Sequence, residues 1–123
     1  MRAWQVATPG EPAEALRLVE ADSPRAGPGE IRVRVLAAGI GLPDALLCRG
    51  TYAFRPPAPF VPGQEVCGMV EAVGDGVDEP ALAVGARVMG VTCFPDSRGG
   101  FADVTVLDAA NVFRVPAAMP AVE

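Results

Sequence analysis

The punctuation of this chain by glycine and proline limits the architectures open to it. Among 123 residues there are 14 glycines and 13 prolines. They divide the chain into short, valine-rich runs, which favours many short strands over a helical bundle. No repeat or Gly-X-Y period accompanies them. The clearest element is Ile31-Arg32-Val33-Arg34-Val35, which alternates strictly. It predicts a half-buried antiparallel strand with the aliphatic residues on one face and the arginines on the other. Residues 1–6, 16–20, 64–73, 87–92, 101–107 and 111–115 read as six more strands, bounded by turns such as Gly74-Asp75-Gly76. One short helix fits after Gly41: Pro43 suits a first turn, Asp44 places a carboxylate near the positive N-terminal end, and Gly50 stops it. Trp4 and Phe101 are expected in the core, and Cys67 as a small buried residue of a strand. Seven short strands and one short helix imply a small, partly open β-barrel.

Half the residues are hydrophobic and 20% are charged, as in a globular domain of modest core. The net charge of −5 argues against nucleic acid, whose recognition needs a basic footprint. All ten positive charges are arginine. No apolar run approaches the length of a membrane span, and Arg2, Glu11 and Glu14 interrupt the first fifteen residues, unlike a secretory signal. A cytoplasmic protein with neither nucleic-acid nor membrane partners is expected. The chain contains no histidine, so triads with an imidazole base and HExxH zinc sites are excluded. Cys48, Cys67 and Cys93 are odd in number and form no CxxC pair, which supports neither a disulfide framework nor a zinc ribbon. GxGxxG and GxxxxGK[ST] are both absent; Gly39/Gly41 and Gly74/Gly76 are GxG pairs alone.

Six short motifs follow one another along nearly the whole chain. They are Ala38-Gly39-Ile40 with Asp44, Arg49-Gly50-Thr51-Tyr52, Pro62-Gly63-Gln64-Glu65, Gly68-Met69-Val70-Glu71-Ala72-Val73-Gly74, Gly85-Ala86-Arg87-Val88 and Gly99-Gly100-Phe101-Ala102-Asp103. In this order they resemble the N-terminal, GroES-like domain of the medium-chain dehydrogenase/reductase superfamily, nearest its zinc-free, zeta-crystallin-like quinone oxidoreductases. The resemblance implies a mainly β fold: a GroES-like, partly open barrel with one or two short helices over residues 1–115. Residues 116–123 would then begin a linker to a C-terminal Rossmann domain that this sequence does not contain.

The resemblance also implies a chemistry. Zinc-dependent alcohol dehydrogenases carry cysteine and histidine where this chain has Gly41 and Gln64. Glycine has no donor atom and an amide is a poor zinc ligand, so no zinc is expected. In the zinc-free branch Gly41, Leu42, Pro43, Asp44 and Ala45 would approach the nicotinamide end of NADPH, while Tyr52 and Gln64 would line the substrate pocket. Hydride transfer needs donor and acceptor held close and dry, so no residue is assigned a dedicated catalytic role. Several residues keep a structural alternative. Asp44 can serve as a helix-start carboxylate, a cofactor contact or both; Tyr52 can be an ordinary loop aromatic; Gln64 can hydrogen-bond the backbone. Glu65 is expected as a satisfied carboxylate behind the site, and Arg87 as a structural ion-pair partner. Gly41 departs from the asparagine usual in the branch, and Ala86 from the aspartate of Gly-Asp-Arg-Val.

The expected function is the substrate-side half of an NADPH-dependent reductase of quinones or α,β-unsaturated carbonyls, inactive without its Rossmann domain and prone to self-association. The alternatives are the same half of an enoyl-thioester reductase, or a non-catalytic GroES-like binding or assembly module.

Overall fold

The computed structural model describes residues 1–122; Glu123, the last residue of the 116–123 segment, lies outside the described residues. Strands β1 (Arg2–Val6) and β2 (Leu16–Glu20) form an antiparallel pair, with helix α1 (Pro12–Ala15) in their connection. Strand β3 (Glu30–Ala38) leads to helix α2 (Leu42–Arg49), and β4 (Glu65–Val73), β5 (Arg87–Thr92) and β6 (Val104–Arg114) follow. Two 3₁₀ turns, Pro80–Leu82 and Phe94–Asp96, lie in the last loops.

The chain is mainly β, as its punctuation implies, and β3, β4, β5 and β6 form a closed ring, more complete than the partly open barrel expected. The closure comes from β6. Its first half pairs with β3 (Ile31 opposite Leu107) and its second with β5 (Met89 opposite Phe113). The sequence reads as two strands here because apolar alternation lapses at Asp108-Ala109-Ala110-Asn111. One continuous strand changes partners at that point, and the Asp108 carboxylate accepts the Ala110 N–H at 2.9 Å.

The alternation of β3 does what it predicts: Ile31 and Val33 are fully buried inside the ring, where they pack with Val66, Val70, Leu82, Val88 and Leu107. Two β-bulges bend β3 against β4. Gly68 faces inward at this bend, where a Cβ would lie 2.3 Å from the Arg34 carbonyl oxygen. Only a residue without a side chain lets the two backbones approach so closely. A second core, of Val6, Ala15, Leu47, Cys48, Phe60 and Phe94, seats α2 against the β1–β2 pair.

Trp4 departs from its expected place in the core, being 47% exposed. Ala3 and Val6 supply the buried contacts of β1, and Trp4 turns outward beside its cross-strand partner Leu18. Both line an apolar groove of about 600 Å³ with Leu36, Ile40 and a half-buried Phe101. Cys67 is likewise only half-buried, opposite Met89 on the outer β4–β5 face.

A bidentate ion pair joins the start of β3 to the loop before β6. Arg98 donates to Glu30 at 2.7 and 3.0 Å, and Glu30 also accepts the Gly27 N–H at 2.9 Å. The Arg98 hydrogen bonds hold the Glu30 carboxyl below its ordinary value of 4.5, against the opposing effect of burial. A carboxylate with a depressed folded pKa stabilises the fold fully above its unfolded value, and the contribution disappears as pH falls through the folded one. Glu30→Gln is therefore expected to cost up to about 1 kcal/mol at neutral pH, the scale of a partly exposed pair. That difference should narrow as pH falls from 7 through the depressed folded value, as urea unfolding at a series of acid pH values would measure.

Candidate functional site

Between β3 and α2 the chain passes through Gly39, Ile40 and Gly41, and Asp44 fixes this passage. Asp44 is the third residue of α2 and 5% exposed. Its Oδ2 accepts the Gly41 N–H at 2.8 Å, and the Asp44 N–H donates to the Gly41 carbonyl at 3.1 Å. The carboxylate so satisfies a donor just before the helix, where its charge also meets the helix dipole favourably. Its Oδ1 accepts the Gly63 N–H at 3.1 Å, within buried surroundings. Gly63 adopts φ 101°, and a Cβ there would meet Phe101 Cδ1 at 2.5 Å. A further bond from Gly39 N–H to the Glu65 carbonyl, 2.9 Å, joins the same two segments.

Together they enclose a cleft of about 110 Å³, walled by Gly39, Ile40, Gly41, Pro43 and Asp44 on one side and by Gln64 and Glu65 on the other. Ile40 and Leu42 extend apolar side chains into solvent at its edge, 86% and 68% exposed, and Ala45 is half-buried behind. Gln64 is part-buried. Its Nε2 is buried with no hydrogen-bond partner, while its backbone carbonyl accepts the Thr92 N–H at 2.8 Å. Glu65 is exposed at the rim, a correction to its expected place behind the site, because it is the first residue of β4 and faces outward.

Tyr52 stands at the other end of α2, where its N–H donates to the Leu46 carbonyl and Gly50 ends the helix in a left-handed conformation. It packs on the second core in an aromatic triad: Phe54 and Phe94 lie 6.2 and 6.5 Å from its ring centroid, and 6.2 Å from each other. The fold brings Gln64 together with the Gly41–Asp44 segment and does not bring Tyr52 into that cleft. Phe54 and Phe94 were missed in the sequence, where they are far apart and only the proline-rich run beside Phe54 marks a held loop.

The nucleophile and metal chemistry open to these residues is limited. Burial pushes the Cys48 and Cys93 thiols up, away from the thiolate form. Asp44 is occupied by two backbone N–H groups, Gly41 has no side chain, and Gln64 offers an amide. Among the described residues no three His, Cys, Asp or Glu side chains gather as a metal site. A zinc ion does not fit this donor set. No helix among the described residues is long and apolar enough to cross a membrane.

Residues 27–117 match the alcohol dehydrogenase GroES-like domain. The quinone oxidoreductase-like protein 2 of Rattus norvegicus is 35% identical over 115 residues, 94% of this chain and 31% of that protein. A pikromycin polyketide synthase component of Streptomyces venezuelae is 40% identical over 90 residues, 73% of this chain and 2% of that one. Among solved structures, a mycobacterial quinone oxidoreductase superposes with a TM-score of 0.85 at 35% identity, covering 98% of this chain and 35% of its own. A mycobacterial protein complexed with NADPH superposes at 0.84 with 33% identity, over 98% and 35% of the two chains. The chain spans about a third of the length of the quinone oxidoreductase-like relatives it matches.

Proposed function

The chain belongs to the alcohol dehydrogenase GroES-like domain family, and on that premise we propose that it is the substrate-side half of a zinc-independent, NADPH-dependent reductase of quinones or α,β-unsaturated carbonyls. The other half is a C-terminal Rossmann domain, reached through residues 116–123, and the isolated half is inactive. The observation that carries this reading is the fixed glycine loop, anchored twice by Asp44, in a cleft where no three metal-ligating side chains gather among the described residues. NADPH, when bound, supplies the hydride. Gly41, Leu42, Pro43, Asp44 and Ala45 hold its nicotinamide end. Gly41 leaves the approach open, Ile40 and Leu42 exclude water, and the Asp44 bonds keep the loop from moving as a ligand arrives. Gln64 orients the acceptor from the opposite wall, and Tyr52, expected to line the pocket but standing outside this cleft, stiffens the far end of α2 from its aromatic triad. Three unbridged cysteines suit a reducing, cytoplasmic setting.

The test is NADPH titration followed by backbone amide shifts, in this chain and in the protein that includes the second domain. The expected result is no saturable shift in the chain alone and, in the longer protein, NADPH oxidation coupled to quinone reduction. Saturable micromolar binding centred on residues 39–46 of the chain alone would overturn the half-site reading. A second reading, an enoyl-thioester reductase half, is favoured by the polyketide synthase relative; preference for a crotonyl thioester over a quinone would select it.

Exposed apolar residues of the Trp4 groove and of the outer face of β5 and β6, Met89, Val91 and Phe113 among them, make self-association of the isolated chain a further expectation. Sedimentation velocity should show a concentration-dependent shift to dimers or larger species, and a monomer at high concentration would refute it.

A further inference from the structure

Arg87 opens β5, at a position where a structural ion pair is expected, but its guanidinium meets no carboxylate among the described residues. Nη1 instead donates to two backbone carbonyls of the segment after β6, Ala117 at 3.2 Å and Met119. The same residue's carbonyl accepts the Val115 N–H at 2.9 Å, and the Met119 N–H closes a turn onto the Pro116 carbonyl at 3.0 Å. One arginine therefore holds residues 115–119 from both its backbone and its side chain. Val115 is the last buried side chain among the described residues, and residues 116–120 are exposed. Beyond them, Ala121 and Val122 lie along the β4–β5 face in a cleft that also includes Gly39 and Glu65. Gly39 and Glu65 in turn wall the candidate cofactor cleft.

We propose that Arg87 is a positioning residue: it latches residues 116–119 to the start of β5 so that the chain reaches Val122 beside Gly39 and Glu65. A guanidinium suits the task because the two hydrogens on Nη1 are fixed in its plane, one for each carbonyl, whereas the donors of an ammonium rotate freely on a flexible stem. This rests on the proposed function only for the purpose of the latch, which is to bring the C-terminal domain to the cofactor cleft.

The test needs neither cofactor nor substrate, so its outcome is independent of the hydride-transfer reading. Nitrogen-15 relaxation is measured on the 123-residue chain and on its Arg87→Ala and Arg87→Lys variants. In the parent chain the order parameters of Met119 and Ala121 should be near the rigid value of about 0.85, falling below about 0.6 in Arg87→Ala. Gly39 and Glu65 amide resonances should move with them while Ile31 and Val33 stay in place, and Arg87→Lys should fall between the two. Unchanged Met119 order in Arg87→Ala, or unmoved Gly39 and Glu65 resonances, would overturn the latch. Stationary Ile31 and Val33 resonances separate loss of the latch from loss of the fold.

Discussion

Gly68→Ala is expected to lower the stability of the domain by about 3 kcal/mol or more, the upper range for forcing extra volume into a packed interior. The added Cβ would stand 2.3 Å from the Arg34 carbonyl oxygen and 2.4 Å from Val33 Cγ1. One of these is backbone, the other a side chain fully buried in the ring. Neither can yield without straightening β3, and that bend carries the pairing of β3 with both β4 and β6. Gly10→Ala is the control. Its Cβ would meet nothing closer than the Ala15 Cβ at 3.9 Å, and stability should remain within about 0.5 kcal/mol of the parent. Urea unfolding of the two variants measures the contrast.

Asp44→Ala should remove roughly 2–4 kcal/mol, since it leaves the Gly41 and Gly63 N–H groups without their acceptors, the latter in buried surroundings. Asp44→Asn should be milder, because its amide oxygen can serve one of the two donors while the NH₂ opposes the other. Urea unfolding measures the stability change, and amide exchange reads its location. Gly41 and Gly63 should lose protection in Asp44→Ala before Ile31 or Val33 does. Equal loss across all four would mean that Asp44 supports the whole fold and not the loop in particular.

How much of this was legible in the sequence depended on how local the cause was. The burial of Ile31 and Val33 follows from period-two alternation, and the α2 start from Pro43 and Asp44, because each signal lies within a few residues of its consequence. The bond from Asp44 to Gly63 was not legible, since nothing near Asp44 says which distant N–H its second oxygen will meet. Trp4 failed for a related reason: residue type marks it as apolar, but only the packing of the β1–β2 pair decides which face turns inward. Helix α1 is four residues long, too short to show a helical period. At Asp108–Asn111 the lapse in alternation is real, but it marks a change of partner within one strand and not a break between two. Tyr52 was located on its loop, but its neighbours Phe54 and Phe94 become neighbours only through the second core.

The partner change in β6 has a consequence for how the molecule comes into being. Ile31 must wait for Leu107, and Met89 for Phe113, so the ring has no closed state until nearly all of the chain is available. Contacts so distant along the chain make for slow folding, because loop-closure entropy is lost before the pairing compensates it. On the ribosome, β3, β4 and β5 would emerge as an open sheet with unprotected edges, exposed to chaperones and to other nascent chains until residue 114 clears the exit tunnel.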